Sequence, residues 1–94
     1  ESQGFIRELE AVVKGRHEQM PEKSYTTSLF KAGTPRMAQK VGEEAVETVI
    51  EAVKGDDERM IYEASDLIYH LLVLLVSKGY GIADLEKELV KRHK

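Results

Sequence analysis

The stretch KVGEEAVETVIE, residues 40–51, decides the fold of this chain. Written on a helix at 100° per residue, Glu44, Glu47 and Glu51 fall on one narrow stripe. Lys40 lies one turn before them, and alanines and valines gather on the opposite side. The stretch therefore predicts an amphipathic helix with an acidic edge beside an apolar face.

A second acidic pattern follows on the next predicted helix, where Glu63 and Asp66 have the same spacing as the first pair. A short turn makes two consecutive helices antiparallel neighbours, so the acidic edges meet if they face each other. Each pair of carboxylates about 4 Å apart repels by roughly 4 kcal/mol at an effective dielectric constant near 20. Such a cluster either has raised pKa values or holds a cation. Oxygen ligands alone indicate a hard ion, Mg²⁺ before Mn²⁺ or Ca²⁺.

A single ExxE motif on a helix is more often a solvated face, because Glu forms helices well and is rarely buried unpaired. The second helix favours the other interpretation. Its stripe of Glu63, Asp66 and His70 continues into aliphatic residues, and residues 67–76 are apolar on nearly every side. This pattern is typical of a helix surrounded by other helices. The acids on it therefore point into a bundle, where pairing or a metal makes them tolerable.

The composition limits the class of protein. The chain has 94 residues, which indicates one domain, and a net charge of −3 that gives no basic field for nucleic acid. It has no cysteine, which excludes a disulfide framework and fits a reducing cytosol. The longest uncharged run, residues 67–77, is shorter than the roughly 20 residues that span a bilayer. A helix that is apolar all round in so small a domain suggests a homodimer with a shared bundle. The chain begins at Glu1 rather than Met, so we expect either a trimmed end or a piece of something longer.

Glycines, prolines and capping residues divide the chain into helical segments, with no strand pattern. Thr34 and Pro35 are a strong start signal, a hydroxyl cap before proline at the first helical position. The first predicted helix runs from Phe5 to a stop at Gly15, and a loop over residues 15–24 leads to a helical turn over residues 24–30 that is closed at Gly33. A second helix follows over residues 35–54, and a third runs from Asp56 or Asp57 to about Lys78. Gly81 and Asp84 open the last helix. The predicted fold is all-α, an antiparallel bundle of four to five helices.

The segment SYTTSLF, residues 24–30, is rich in hydroxyl groups. Two interpretations remain open. The hydroxyls of Ser24, Tyr25 and Thr26 either cap a helix or contact a sugar phosphate or a base together with nearby lysines. Gly42, just before the first acidic pair, suggests close approach by another helix or a ligand, although a tolerated glycine is equally compatible.

Three motifs in this order carry a resemblance that covers most of the chain. KVGEEAVE at residues 40–47, EASDLIYHLLVLL at residues 63–75 and SYTTSLF resemble the all-α, MazG-like nucleoside triphosphate pyrophosphohydrolase superfamily, and within it the phosphoribosyl-ATP pyrophosphatase family. Ser65 stands where that family usually has Ala, and Gln39 where a second basic residue is common. The resemblance implies hydrolysis of phosphoribosyl-ATP to phosphoribosyl-AMP and pyrophosphate with Mg²⁺, the second step of histidine biosynthesis. It also implies a functional link to phosphoribosyl-AMP cyclohydrolase, to which the domain is often fused.

The candidate site residues fall into three groups. An acidic pocket accepts a triphosphate only if a bound metal inverts the local charge, so the four carboxylates of the two motifs are the expected metal ligands. Either Glu43 or Glu51 would accept the proton of the attacking water, and the sequence does not choose between them. The expected metal ligands are Glu44, Glu47, Glu63 and Asp66. The expected substrate contacts are Lys40 first, then Lys23, Lys31 and Arg36, and the hydroxyls of Ser24, Tyr25 and Thr26. His70 either contacts a phosphate, orients the Asp66 carboxylate or bonds a neighbour.

Two other functions fit the same pattern. One is a sister pyrophosphohydrolase that clears ordinary or damaged nucleoside triphosphates with the same metal cluster. The other is a helical dimerisation module without catalysis, whose acids lie on the surface. Only SYTTSLF and the sequences flanking the acids argue against the sister pyrophosphohydrolase. Turnover measured on variants of the acids distinguishes an enzyme from a dimerisation module.

Overall fold

The computed structural model describes residues 4–93, and in this range the chain forms five α-helices and no strand. The all-α prediction is confirmed, with the upper of the two predicted helix counts. The helices are α1 (Phe5–Gln19), α2 (Tyr25–Ala32), α3 (Thr34–Lys54), α4 (Asp57–Ser77) and α5 (Ile82–Arg92).

The most extensive contact between helices joins α3 and α4. The turn between them is short because two local devices meet there. Gly55 ends α3 in the left-handed conformation at φ 83°, and its N–H donates to carbonyl groups of the last turn. Asp56 then caps α4 by accepting a hydrogen bond from the Arg59 N–H at 3.0 Å. The two long helices therefore form an antiparallel hairpin along the whole length that carries the acidic motifs.

The core lies where α1, α2 and α3 pack against the C-terminal half of α4. Val73 is fully buried at its centre, and burying an aliphatic side chain of this kind stabilises a fold by roughly 1.5–3 kcal/mol. The buried cluster consists of Val13, Leu29, Met37, Val73 and Val76, with Leu9, Phe30, Tyr69 and Leu74 packed against it. The core thus supports one end of the hairpin, and the acidic residues lie toward the other.

The predicted stop of the first helix at Gly15 is wrong. Helix α1 continues to Gln19 and ends at Met20, which adopts the left-handed conformation at φ 50° just before Pro21. A glycine inside a helix costs only about 1 kcal/mol against alanine, and packing offsets that cost here. The His17 ring lies 4.6 Å from the Phe30 ring, which holds the last turn of α1 against α2. The predicted loop over residues 15–24 is therefore confined to its second half.

Two boundaries around α2 also differ from the prediction. Ser24 caps α2 by accepting a hydrogen bond from the Thr27 N–H at 3.2 Å, so the capping interpretation of this serine is confirmed. The segment forms two turns rather than the single predicted turn. Thr34 is the first residue of α3 and not its cap, because Gly33 at φ 95° takes the cap position.

Helix α5 is attached to α1 through a buried carboxylate that the sequence did not reveal. The Ile82 N–H donates to Glu10 Oε2 at 2.7 Å, and Glu10 is only 7% exposed. Asp84 closes the same end by accepting from the Gly81 N–H at 2.9 Å, as predicted for the start of the last helix. A Cβ atom at position 81 would collide with the Glu10 carboxylate, so a larger residue there would force that carboxylate to shift.

The outer face of the hairpin is apolar and exposed in the single chain. Val46, Val49 and Val53 of α3 are 58%, 60% and 83% exposed, and Ile61 and Tyr62 of α4 are also exposed. The valine side of α3 that the sequence predicted as a packing face is thus on the outside, while its acids face α4. Apart from its chain neighbours and its own helix backbone, nothing in residues 4–93 lies within 4 Å of a Cβ atom built on Gly42. Another helix of this part of the chain therefore does not make the close approach that the sequence suggested there.

Helix α4 is long and apolar enough to cross a membrane by length and composition alone. Core helices of globular proteins pass the same test. Because α4 packs along α3 and carries Glu63 and Asp66 in its middle, we interpret it as the central helix of the bundle.

Candidate functional site

The inward stripe of the hairpin brings carboxylates of both acidic motifs together. Glu44 from α3 and Glu63 and Asp66 from α4 each offer an oxygen, and these oxygens lie within 4.8 Å of one another. Glu44 is 6% exposed and Glu63 is 5% exposed. The solvated-face interpretation is therefore wrong for these residues, because surface glutamates are rarely buried to this degree.

Glu47 borders the same cluster. Burial raises the pKa of Glu63 to about 7, and the neighbouring carboxyl groups of Glu47 and Glu44 add to the shift. These effects outweigh the guanidinium of Arg59, which donates to Glu63 Oε2 at 2.8 Å. The Glu47 side chain is itself exposed and lies outside the group of three converging oxygens, but its repulsion is already expressed in the proton affinity of Glu63.

The cluster fits a hard divalent cation. Glu44 Oε1 is buried and has no hydrogen-bond partner within residues 4–93. An unpartnered carboxylate oxygen in such a place is costly, and a cation would satisfy it. Carboxylate oxygens with no sulfur or imidazole ligand are the donor set of Mg²⁺, Mn²⁺ or Ca²⁺.

Lys40 is a second basic group at the cluster, contributed by α3, whereas Arg59 belongs to α4. Lys40 Nζ lies 3.5 Å from both Glu43 Oε1 and Glu44 Oε2. Burial alone would lower the pKa of Lys40, but Tyr25, Glu44 and Glu43 together raise it above the ordinary value. The lysine therefore keeps its positive charge at the edge of the acidic site.

The two candidates for the general base lie in different surroundings. Glu43 is exposed, and the Gln39 amide donates to its Oε2 at 2.8 Å. This hydrogen bond and Lys40 lower the pKa of Glu43, which weakens it as a base. Glu51 is partly buried one turn beyond Glu47, and Lys54 Nζ lies 3.6 Å from its Oε1. Neither belongs to the group of three closest oxygens.

His70 uses both ring nitrogens within the protein. Nδ1 lies 2.8 Å from the Asp66 carbonyl oxygen, and Nε2 lies 3.1 Å from the Tyr25 hydroxyl. Because a carbonyl only accepts, Nδ1 carries the proton and Nε2 accepts from Tyr25. His70 is 5% exposed and bonds the Asp66 backbone rather than its carboxylate. The geometry therefore makes it a support for Tyr25.

The other predicted substrate residues are spread around this arrangement. Tyr25 is 52% exposed beside the site, whereas Thr26 is buried and bonds the Tyr69 hydroxyl. Ser24 caps α2, as described above. Lys31 and Arg36 are exposed and make no hydrogen bond or ion pair in the part of the chain that the structure describes. Arg59, four residues before Glu63, is the contact that the sequence analysis missed although i to i+4 spacing could have indicated it.

The fold and the site together define a class: all-α proteins that hold a carboxylate cluster, suited to a divalent cation, between two antiparallel helices. Within that class the chain belongs to the phosphoribosyl-ATP pyrophosphohydrolase family, whose pattern matches residues 6–93. The resemblance noted from its motifs is thereby confirmed.

Individual relatives agree with this assignment. The chain is 62% identical over 89 residues to the histidine biosynthesis bifunctional protein HisIE of Bacteroides thetaiotaomicron, covering 95% of this chain and 44% of that protein. It is 48% identical over 89 residues to HisIE of Shewanella oneidensis, covering 95% of this chain and 42% of that protein. It is also 46% identical over 89 residues to the phosphoribosyl-ATP pyrophosphatase of Leptospira biflexa, covering 95% of this chain and 97% of that protein. The chain thus spans less than half the length of these bifunctional relatives and nearly all of the Leptospira protein.

Proposed function

We propose that this chain hydrolyses phosphoribosyl-ATP to phosphoribosyl-AMP and pyrophosphate, in histidine biosynthesis, with Mg²⁺ as cofactor. The observation that carries the proposal is the convergence of Glu44, Glu63 and Asp66 within 4.8 Å on the inward face of the hairpin. Membership in the phosphoribosyl-ATP pyrophosphohydrolase family favours this substrate over ordinary nucleoside triphosphates.

The acidic residues have distinct tasks in the proposed reaction. Glu44, Glu63 and Asp66 would hold the metal, and Glu47 would join them from the exposed edge of the cluster. A divalent ion bound there would lower the pKa of a water molecule and would neutralise the charge that builds on the pyrophosphate leaving group. Glu63 must lose its proton before its carboxylate ligates, because its pKa is raised to about 7.

The remaining groups bind substrate and move the proton. Lys40, charged and adjacent to Glu44, contacts a phosphate of the triphosphate. Either Glu43 or Glu51 accepts the proton of the attacking water, and the lowered pKa of Glu43 weakens Glu43 in this role. Tyr25, held by His70, contacts the substrate beside the cluster.

We propose that the chain forms a homodimer. Val46, Val49 and Val53 give the hairpin an exposed aliphatic face, and a second copy presenting the same face would cover both. The proposed partners are this second copy and the small-molecule substrate. We propose no nucleic acid or membrane partner, and a location in the cytoplasm. The bifunctional relatives support a functional link to the phosphoribosyl-AMP cyclohydrolase that acts next.

Pyrophosphate release from phosphoribosyl-ATP, compared with a panel of dNTPs in the presence of Mg²⁺, tests the proposal. We expect turnover of phosphoribosyl-ATP far above that of any dNTP. The variants Glu44→Gln and Asp66→Asn should lose nearly all turnover and bind Mg²⁺ more weakly, with an unchanged helical circular dichroism spectrum. Lys87→Gln, on the exposed face of α5, is the control.

Two outcomes would overturn the proposal. A strong preference for dNTPs would identify a nucleotide-clearing enzyme instead. If both acid variants matched the parent in turnover and in Mg²⁺ binding, the cluster would have no role in chemistry, and a helical dimerisation module would remain.

A further inference from the structure

A cavity lies where the end of α1 meets the start of α2, on the side of Tyr25. It has a volume of about 400 Å³ and is separate from the carboxylate cluster. Its lining combines cations and hydroxyl groups, and it contains no carboxylate. The lining residues are Arg16, Pro21, Lys23, Ser24, Tyr25 and Thr26.

The cations of this cavity form no ion pair within residues 4–93. Arg7, Arg59 and Arg92 each form an ion pair with a glutamate. Across residues 4–93, by contrast, neither Arg16 nor Lys23 has a carboxylate oxygen within 4.0 Å. Arg36 is likewise unpaired in that range but does not line the cavity, so it is the presence of a guanidinium and an ammonium in one concavity that favours an anionic ligand.

The cavity between α1 and α5 makes a useful contrast. It also has basic lining residues, but Glu10, Glu18 and Asp84 line it as well. Lys14 Nζ lies 3.9 Å from Glu10 Oε2, and that carboxylate already accepts from the start of α5. The lining there has three carboxylates against Arg7 and Lys14, so it carries no excess of positive charge, unlike the cavity at Arg16.

Tyr25 connects this cavity to the metal cluster. Its side chain lines the cavity, while its hydroxyl donates to His70 Nε2 at 3.1 Å, and His70 in turn bonds the Asp66 carbonyl. Arg16 also lies close enough to the Tyr69 hydroxyl to act against the burial that raises the pKa of that group. A ligand that spans the cluster and the cavity would therefore pass over Tyr25.

We infer that the cavity formed by Arg16 and Lys23 binds the terminal phosphate of the phosphoribosyl group, at the opposite end of the substrate from the triphosphate. This inference rests on the proposed function. ATP and dNTPs have no phosphate at that end, so the cavity would select phosphoribosyl-ATP over them. The guanidinium of Arg16 suits two phosphate oxygens at once, and Lys23 supplies a point charge.

The test crosses variants with two substrates. The variants are Arg16→Gln and Lys23→Gln, with Lys87→Gln as the charge-matched control on α5. The substrates are phosphoribosyl-ATP and N1-ribosyl-ATP, which differ only in the terminal phosphate. A hydrogen bond to a charged group is worth about 1.5–3 kcal/mol, so each variant should lower kcat/KM for phosphoribosyl-ATP about 10- to 100-fold, mainly through KM. For N1-ribosyl-ATP, kcat/KM should stay within about twofold of the parent.

A second measurement uses the parent protein directly. Ribose 5-phosphate should inhibit the parent competitively and should inhibit Arg16→Gln at least about tenfold more weakly. An equal loss of kcat/KM on both substrates, no loss on either, or unchanged ribose 5-phosphate inhibition would overturn the assignment of the cavity alone. A parent protein that fails to turn over phosphoribosyl-ATP with Mg²⁺ would overturn the proposed function, and this inference with it.

Discussion

Glu63 should make the proposed metal site sensitive to pH near neutrality. Its pKa is raised to about 7, chiefly by burial and then by Glu47 and Glu44. At pH 6 the group is therefore about 0.9 protonated in the metal-free protein, and at pH 8 about 0.1. Since a ligating carboxylate must be ionised, Mg²⁺ binding should release about 0.9 proton at pH 6 and about 0.1 at pH 8. The apparent affinity should rise about tenfold per pH unit from pH 5 to pH 7 and then level off.

Titration calorimetry in buffers of different ionisation enthalpy measures this proton release directly, with Mn²⁺ as a second ion of the same ligand preference. Glu63→Gln should abolish the release and weaken binding at every pH. Glu58→Gln is the matched control, because Glu58 lies exposed in the first turn of the same helix. Release that does not change between pH 6 and pH 8, or that persists in Glu63→Gln, would refute the reasoning.

Three other predictions follow from the fold. In the metal-free protein, the raised pKa of Glu63 adds stability that is complete below about pH 4.5 and is lost as the pH rises through about 7. The midpoint of urea denaturation should therefore fall as the pH rises across this range. In Glu63→Gln, the midpoint should change less with pH. Gly81→Ala should destabilise the protein by about 1–3 kcal/mol through collision with a buried carboxylate, whereas Gly15→Ala, in open space within α1, should stabilise it by about 0.5–1 kcal/mol; urea denaturation of both variants checks the contrast. Val49→Asp should shift the protein to a monomer in light scattering, while Val90→Asp on α5 should leave its mass unchanged, and a dimeric Val49→Asp would contradict the proposed interface.

The hairpin of α3 and α4 could be predicted from the sequence because its signals are local. The 100° stripe of Glu44 and Glu47 and the i to i+3 repeat of Glu63 and Asp66 are fixed by helix geometry alone. Gly55 and Asp56 mark the turn by their intrinsic preferences. Once the turn is short, the antiparallel arrangement follows, and with it the meeting of the acids.

The features that the sequence did not reveal depend on contacts between distant residues. Gly15 resembles a helix stop, and only the packing of His17 on Phe30 explains why α1 continues past it. Glu10 looks like one more surface acid until α5 places the Ile82 N–H against it. Arg16 carries no motif, and its significance comes from the cavity that the turn at Met20 leaves beside α2.

Helix α3 inverts the usual amphipathic arrangement, since it turns Glu44 toward the neighbouring helix and Val46, Val49 and Val53 outward. Neither choice stabilises an isolated chain: the inward carboxylates repel one another, and the outward valines expose apolar surface to water. Each becomes favourable only when something is added, a cation on one side and, in the proposed dimer, a second copy on the other. If a cation and a second copy bind the folded chain and not the unfolded one, mass action makes the free energy of unfolding depend on the concentrations of metal and of protein. In the proposed enzyme, the hairpin that forms the largest contact of the fold would thus also be the part whose stability depends most on its ligands.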